Sequence, residues 1–206
     1  MMIKEYRTLC FNSVPDFSKV PEGRIDCFQW ENGTPYRPNS SFKMCFQKGK
    51  GIFLKMKSDE KNPRCTCVGR DGNCWEDGCM EFFIKPFEDR KEYLNFEMTA
   101  MGAYLSAFGK DRNSRTLLKD LTEEAPNING RITENGWELN AFIPCEVISQ
   151  AYGKEFDAGK GIYYGNFYKC ADKSQTPHFG SFSPMGSLPP GFHCPELFAK
   201  IIVEEE

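Results

Sequence analysis

Past Gly78 the chain reads Cys79-Met80-Glu81-Phe82-Phe83-Ile84-Lys85, in which Met80, Phe82 and Ile84 alternate with Cys79, Glu81 and Phe83. A period of two marks a strand whose faces meet different surroundings, and Pro86 closes it because proline cannot donate to a ladder. With the even positions on the core, Glu81 projects from the other face, where Trp75 in the preceding loop can reach it. An aromatic plane beside a carboxylate is one way to hold a sugar: the ring packs on C–H faces and the carboxylate accepts from hydroxyls.

The same alternation recurs along the chain. Strands are expected at 24–30, ended by Asn32-Gly33 and Pro35, and at 41–47 and 51–57 around the turn Lys48-Gly49-Lys50-Gly51. Residues 93–100 and 103–108 flank Met101-Gly102. Leu94, Phe96, Met98 and Ala100 share one face there, and Asn95, Glu97 and Thr99 the other, where they can extend the outward row begun by Glu81. Asn135-Gly136 is the strongest hairpin signal and joins 129–133 to 136–143; Trp137, Leu139, Ala141 and Ile143 are expected in the core. Pro144 opens a short helix through Tyr152. Strands follow at 162–170, with Tyr164, Asn166 and Tyr168 on one face, and at 200–204. Residues 1–22 read as an irregular leader, 59–73 as a loop, 112–124 as a short helix or long loop, and 171–193 as a loop too long for a mere connector. About nine to eleven short strands with almost no helix predict an all-β, antiparallel β-sandwich, one domain over residues 1–206.

Composition narrows the function. A hydrophobic share of 40% with 18 Phe suffices for a sizeable core, and a net charge of −3 gives no footprint for nucleic acid. No apolar run is long enough to span a bilayer. The N-terminal residues lack the apolar stretch of a secretory signal, which points to the cytoplasm and reduced thiols; a chain trimmed of its signal would instead be secreted.

Several stretches, in order, resemble the family 9 carbohydrate-binding modules. They are Trp75-Glu76-Asp77-Gly78-Cys79-Met80-Glu81-Phe82-Phe83, Tyr93-Leu94-Asn95-Phe96-Glu97-Met98-Thr99, Gly136-Trp137-Glu138-Leu139-Asn140-Ala141-Phe142-Ile143-Pro144, Gly165-Asn166-Phe167-Tyr168 and Gly191-Phe192-His193-Cys194-Pro195-Glu196-Leu197-Phe198. The resemblance covers about residues 20–203 and implies an immunoglobulin-like β-sandwich that binds a mono- or oligosaccharide without cleaving it. It places Trp75 and Phe192 as the stacking aromatics, Glu81 as the strand carboxylate, and Asn95, Glu97, Thr99, Asn166 and Tyr168 as hydroxyl readers, with His193 nearby. The chain departs from the family pattern at Glu97, where an Arg is usual, and at Phe192, where a Trp is usual. A separately encoded glycoside hydrolase is the partner this role would suit.

Other chemistries compete with this reading. Glu81 and Glu97 could form a glycosidase pair, which requires two carboxyls across a cleft. Cys65, Cys67, Cys74 and Cys79 fit zinc spacing poorly, so free thiols are expected, with a Cys67–Cys79-type disulfide if the protein is exported. His178 and His193 sit in no pattern that would hold haem. No resident cofactor is expected, although related modules hold structural calcium, to which Asp71 and Asp77 could contribute. An aromatic-rich face could alternatively serve a protein partner.

Overall fold

The computed structural model describes residues 3–30, 36–186 and 191–206, so the expected break at Asn32, Gly33 and Pro35 lies outside the described residues. The structure is mostly β, with 45% of the described residues in strands or bridges against 9% in helical turns. In chain order the strands are β1 Glu5–Phe11, β2 Gly23–Ile25, β3 Ser40–Gln47, β4 Gly51–Ser58, β5 Cys79–Lys85, β6 Tyr93–Thr99, β7 Tyr104–Gly109, β8 Arg115–Leu117, β9 Asn127–Thr133, β10 Gly136–Pro144, β11 Gly161–Cys170, β12 Phe179–Ser181 and β13 Ala199–Glu205, with helix α1 at Cys145–Tyr152. They form one curled path, β8-β7-β6-β5-β11-β13-β1-β3-β4-β10-β9, with β12 beside β11 and β2 beside β3.

The hairpins fall where turn chemistry placed them. At Asn135-Gly136 the glycine has φ +142°, and a Cβ there would meet the Ser58 carbonyl oxygen at 2.0 Å, so the closing turn onto β4 demands glycine. Helix α1 follows Pro144 and ends at Gly153 in the left-handed conformation, as the Pro–Gly asymmetry of helices favours.

Three expectations are corrected. The sheet is mixed rather than wholly antiparallel, because β1 runs parallel to both β13 and β3. The supposed leader contains β1 itself, whose Tyr6, Thr8 and Cys10 are buried; Thr8 hides the apolar alternation, and its hydroxyl donates to the distant Met44 carbonyl. The strand expected at 24–30 shrinks to β2 and a single bridge at Cys27. The 112–124 stretch supplies the short β8 and a 3-10 turn at Leu118–Asp120, and the long late loop contributes β12.

The sheet curls around a core that joins strands far apart in the path. Phe42 on β3 stacks on Phe167 of β11 with ring centroids 3.5 Å apart, and Phe167 also stacks on Phe82 of β5 at 4.9 Å. Trp137, Leu139, Ala141 and Ile143 are buried in it, as their alternation predicted. Within it Lys169 on β11 is fully buried and pairs with Glu60 at 2.9 Å, and Glu60 accepts from the Trp137 indole at 3.0 Å. The opposite face of β5, β6 and β11, expected outward, is covered as well. The late loop folds back over it and builds a second buried cluster around Phe83, Tyr93, Tyr168, Met185, Phe192 and Phe198.

Candidate functional site

The register of three strands lays two rows of side chains on that covered face. Glu81 lies opposite Glu97 on β6 and opposite Tyr168 on β11. One pleat further, Cys79 lies opposite Thr99 and Cys170. Where these rows meet the loops, a cleft of about 340 Å³ opens, bordered by Trp75, Glu81, Glu97, Arg112, Asn113, Arg115, Cys170, Asp172, Phe179, Gly191, Phe192 and His193.

Like charges directly opposite on a sheet repel, and here both carboxyls are also removed from water, each about 3% exposed. Burial, then the charge of Glu97, holds the Glu81 carboxyl well above the usual carboxylate range. Burial pushes Glu97 up to about 7, against the opposing pull of Arg115. The pair therefore resists double ionisation near neutral pH. Glu81 Oε1 accepts from the Cys170 thiol at 3.0 Å. Glu97 Oε1 accepts from Asn95 Nδ2 at 3.0 Å and from Arg115 at 3.4 Å, while its Oε2 has no hydrogen-bond partner among the described residues.

Arg115 reaches this floor from β8 and also donates to Asn95 Oδ1 at 3.1 Å. The turn that carries it is set by Asp111, whose carboxylate accepts from the Asn113 and Ser114 amides at 2.8 and 3.0 Å and from the Ser114 hydroxyl at 2.7 Å. Arg112 and Asn113, on the same turn, line the cleft beside it.

The aromatic border is built by long-range bonds. Phe192 stacks on Tyr168 with centroids 4.1 Å apart, and the Tyr168 hydroxyl donates to the Phe192 carbonyl at 3.1 Å. Asn166 clamps the same loop: its Nδ2 donates to the Ser183 carbonyl at 3.1 Å and its Oδ1 accepts from the Ser183 amide at 2.8 Å. His193 Nδ1 meets the Tyr93 hydroxyl at 2.7 Å, and burial with the two nearby arginines lowers its pKa to about 3, so the ring is neutral. Trp75 sits in a 3-10 turn, Cys74–Glu76, whose carbonyls at Trp75 and Glu76 accept from the Asp172 and Lys173 amides. Asp77 anchors the far side of that turn by accepting from the amides of Thr66 and Cys67, both at 2.6 Å.

Of the nine residues singled out in the sequence, Trp75, Glu81, Glu97, Phe192 and His193 border the cleft. Asn95, Thr99, Asn166 and Tyr168 are fully buried behind it, where Asn95 holds Arg115 and Glu97, and Asn166 and Tyr168 hold the late loop. Sequence reasoning missed Arg112, Arg115, Asp172 and Phe179. The guanidinium absent from β6 at Glu97 arrives instead from β8, and the Asp111-x-x-Ser114 turn was the one local signal for it. Cys67 lies against Cys74, with Sγ atoms 2.9 Å apart, rather than against Cys79. Asp77 is engaged by Arg64, Thr66 and Cys67, and Asp71 faces Arg70 and Lys119 at 3.4 and 3.3 Å. His178 is buried beside Glu60.

A family model for carbohydrate-binding family 9 matches residues 11–203. Among solved structures, a proposed carbohydrate-binding protein from Bacteroides uniformis is 29% identical, with 98% of this chain and 100% of that chain covered and a TM-score of 0.80. A family 9 carbohydrate-binding module from Caldicellulosiruptor kristjanssonii in complex with glucose is 12% identical over 98% of this chain and 97% of that one, TM-score 0.64. Its complex with cellotriose is 11% identical over 98% and 95%, TM-score 0.64. No curated protein matches the chain.

Proposed function

Because the chain belongs to carbohydrate-binding family 9, we propose that it holds a mono- or oligosaccharide in the cleft between Trp75 and Phe192 and does not cleave it. The observation that carries this is convergence. Two aromatic side chains far apart in sequence, two guanidinium-bearing residues and two buried carboxyls border one concavity of sugar size. The sugar's apolar face packs on the rings, and its hydroxyls accept from arginine and donate to carboxyl oxygens. Glu97 Oε2, buried without a donor, is an acceptor that a hydroxyl would satisfy. The stacking of Phe42 on Phe167 across the core supports an immunoglobulin-like sandwich as the scaffold, here with a curled, mixed sheet.

Catalysis is the weaker reading. Glu81 and Glu97 are direct cross-strand neighbours on one floor, whereas glycosidase carboxyls flank the scissile bond. A glycan held by this chain could be presented to a separate hydrolase. Titration calorimetry against glucose, cellobiose, cellotriose and a wider saccharide panel tests the reading. Binding that disappears in Trp75→Ala supports it; silence across the panel, or turnover of a chromogenic glycoside lost in Glu81→Gln, overturns it.

A further inference from the structure

We propose that Cys79, Glu81 and Cys170 form a binding site for a thiophilic divalent metal, of which zinc is the type, at the floor of the cleft. The three ligand atoms all lie within 4.8 Å of one another, and all three residues are buried. The grouping follows from register. Cys79 and Glu81 stand two apart on β5 and so share a face, and Cys170 is the direct partner of Cys79 on β11. The spacing that disfavoured zinc concerned Cys65, Cys67, Cys74 and Cys79; pairing with a distant strand draws Cys79 into a different set.

A second observation points to an occupant. Thr99, opposite Cys79, carries a buried hydroxyl oxygen, Oγ1, that has no hydrogen-bond partner among the described residues. This orphan oxygen lies beside the three donors on the same face, and buried polar atoms normally have partners. Two sulfurs and one carboxylate select zinc over calcium or magnesium, which prefer oxygen alone. Glu81 and Cys170 also border the cleft, so a fourth coordination position opens toward it, for water or a ligand hydroxyl.

Binding balances as an exchange of protons for metal. The divalent ion enters, one proton leaves each thiol and one leaves the Glu81 carboxyl, and a singly negative tris-ligand site remains. Burial raises the Cys79 thiol to about 11 and holds the Cys170 thiol well above its usual value, so the metal supplies the driving force for that release. The site stands whether or not a saccharide occupies the cleft.

The test is cobalt titration of the reduced, chelator-treated full chain. One equivalent should produce thiolate-to-cobalt charge transfer and the visible bands of a tetrahedral ion, and one equivalent of zinc should abolish both. The pair of substitutions Cys79→Ser and Cys170→Ser should remove the bands, whereas Cys67→Ser with Cys74→Ser should keep them. Glu81→Gln, nearly isosteric, should keep the fold and the thiolate band but shift the visible cobalt bands as the carboxylate ligand is lost. Near-ultraviolet circular dichroism of each variant checks the fold. Absence of the thiolate band in the wild-type chain, or its loss only in the Cys67/Cys74 variant, overturns the site. Calorimetry with saccharides on the chelator-treated protein reads the sugar site separately.

Discussion

Glu81 and Glu97 face each other across the β5–β6 ladder, both buried, with the Arg115 guanidinium in hydrogen-bond contact with Glu97 and none with Glu81. This unequal sharing of one cation shapes the floor of the cleft and its pH behaviour. A carboxyl whose folded pKa is raised binds its proton more tightly when folded. Its favourable contribution is therefore complete below the unfolded pKa and is lost as pH rises through the folded value.

For Glu97 that window runs from the unfolded value of 4.5 to about 7. Glu97→Gln removes the ionisation, and its amide can donate toward Glu81. The variant should be more stable than wild type at pH 8, by about 3 kcal/mol at most for a shift of that size. The difference should vanish near pH 4. Urea unfolding at the two pH values measures it.

Arg115→Met removes the donor shared by Asn95 and Glu97. Without it the Glu97 pKa moves further up, so the stability lost should be small at pH 5, where Glu97 is protonated in both chains, and should grow to about 3 kcal/mol by pH 9, where wild type holds a paired carboxylate. Chemical unfolding across that range, and loss of saccharide binding by calorimetry, are the measurements.

Phe192 packs on Tyr168 at 4.1 Å. Phe192→Leu keeps apolar volume but removes the flat face, and saccharide affinity should fall by roughly three- to tenfold, the range that aromatic pairing energies imply. Trp75→Ala, which deletes the opposite ring, should lower it at least as far.

Cys67 and Cys74, in sulfur contact at 2.9 Å, should be the first pair to close when a low-molecular-weight disulfide is added, releasing two small thiols per bridge. Peptide mapping should show this pair joined, with two of the ten thiols lost. Cys74 immediately precedes Trp75, so intrinsic fluorescence should shift in step.

Lys169 is fully buried against Glu60 at 2.9 Å. Glu60→Gln leaves an ammonium without its counter-charge and should cost about 3–5 kcal/mol, read by the denaturation midpoint.

The hairpins, α1 and β5 were legible because their causes are local: glycine where φ is positive, proline where the helix starts, and alternation imposed by the pleat. The aromatic and carboxyl positions at Trp75, Glu81, Glu97 and Phe192 could be named from motifs for the same reason. What lay beyond reach was which surfaces meet. β1 takes its place between β13 and β3 through parallel pairing with partners distant in sequence. Arg115 enters the cleft because the β7–β8 turn returns it to the floor. The face of Glu81 is covered because Asn166 and Tyr168 tie the late loop down over it. A repeating pattern states that a strand has two faces; only the tertiary structure decides what covers each one, since that depends on pairings between segments that carry no local trace of one another.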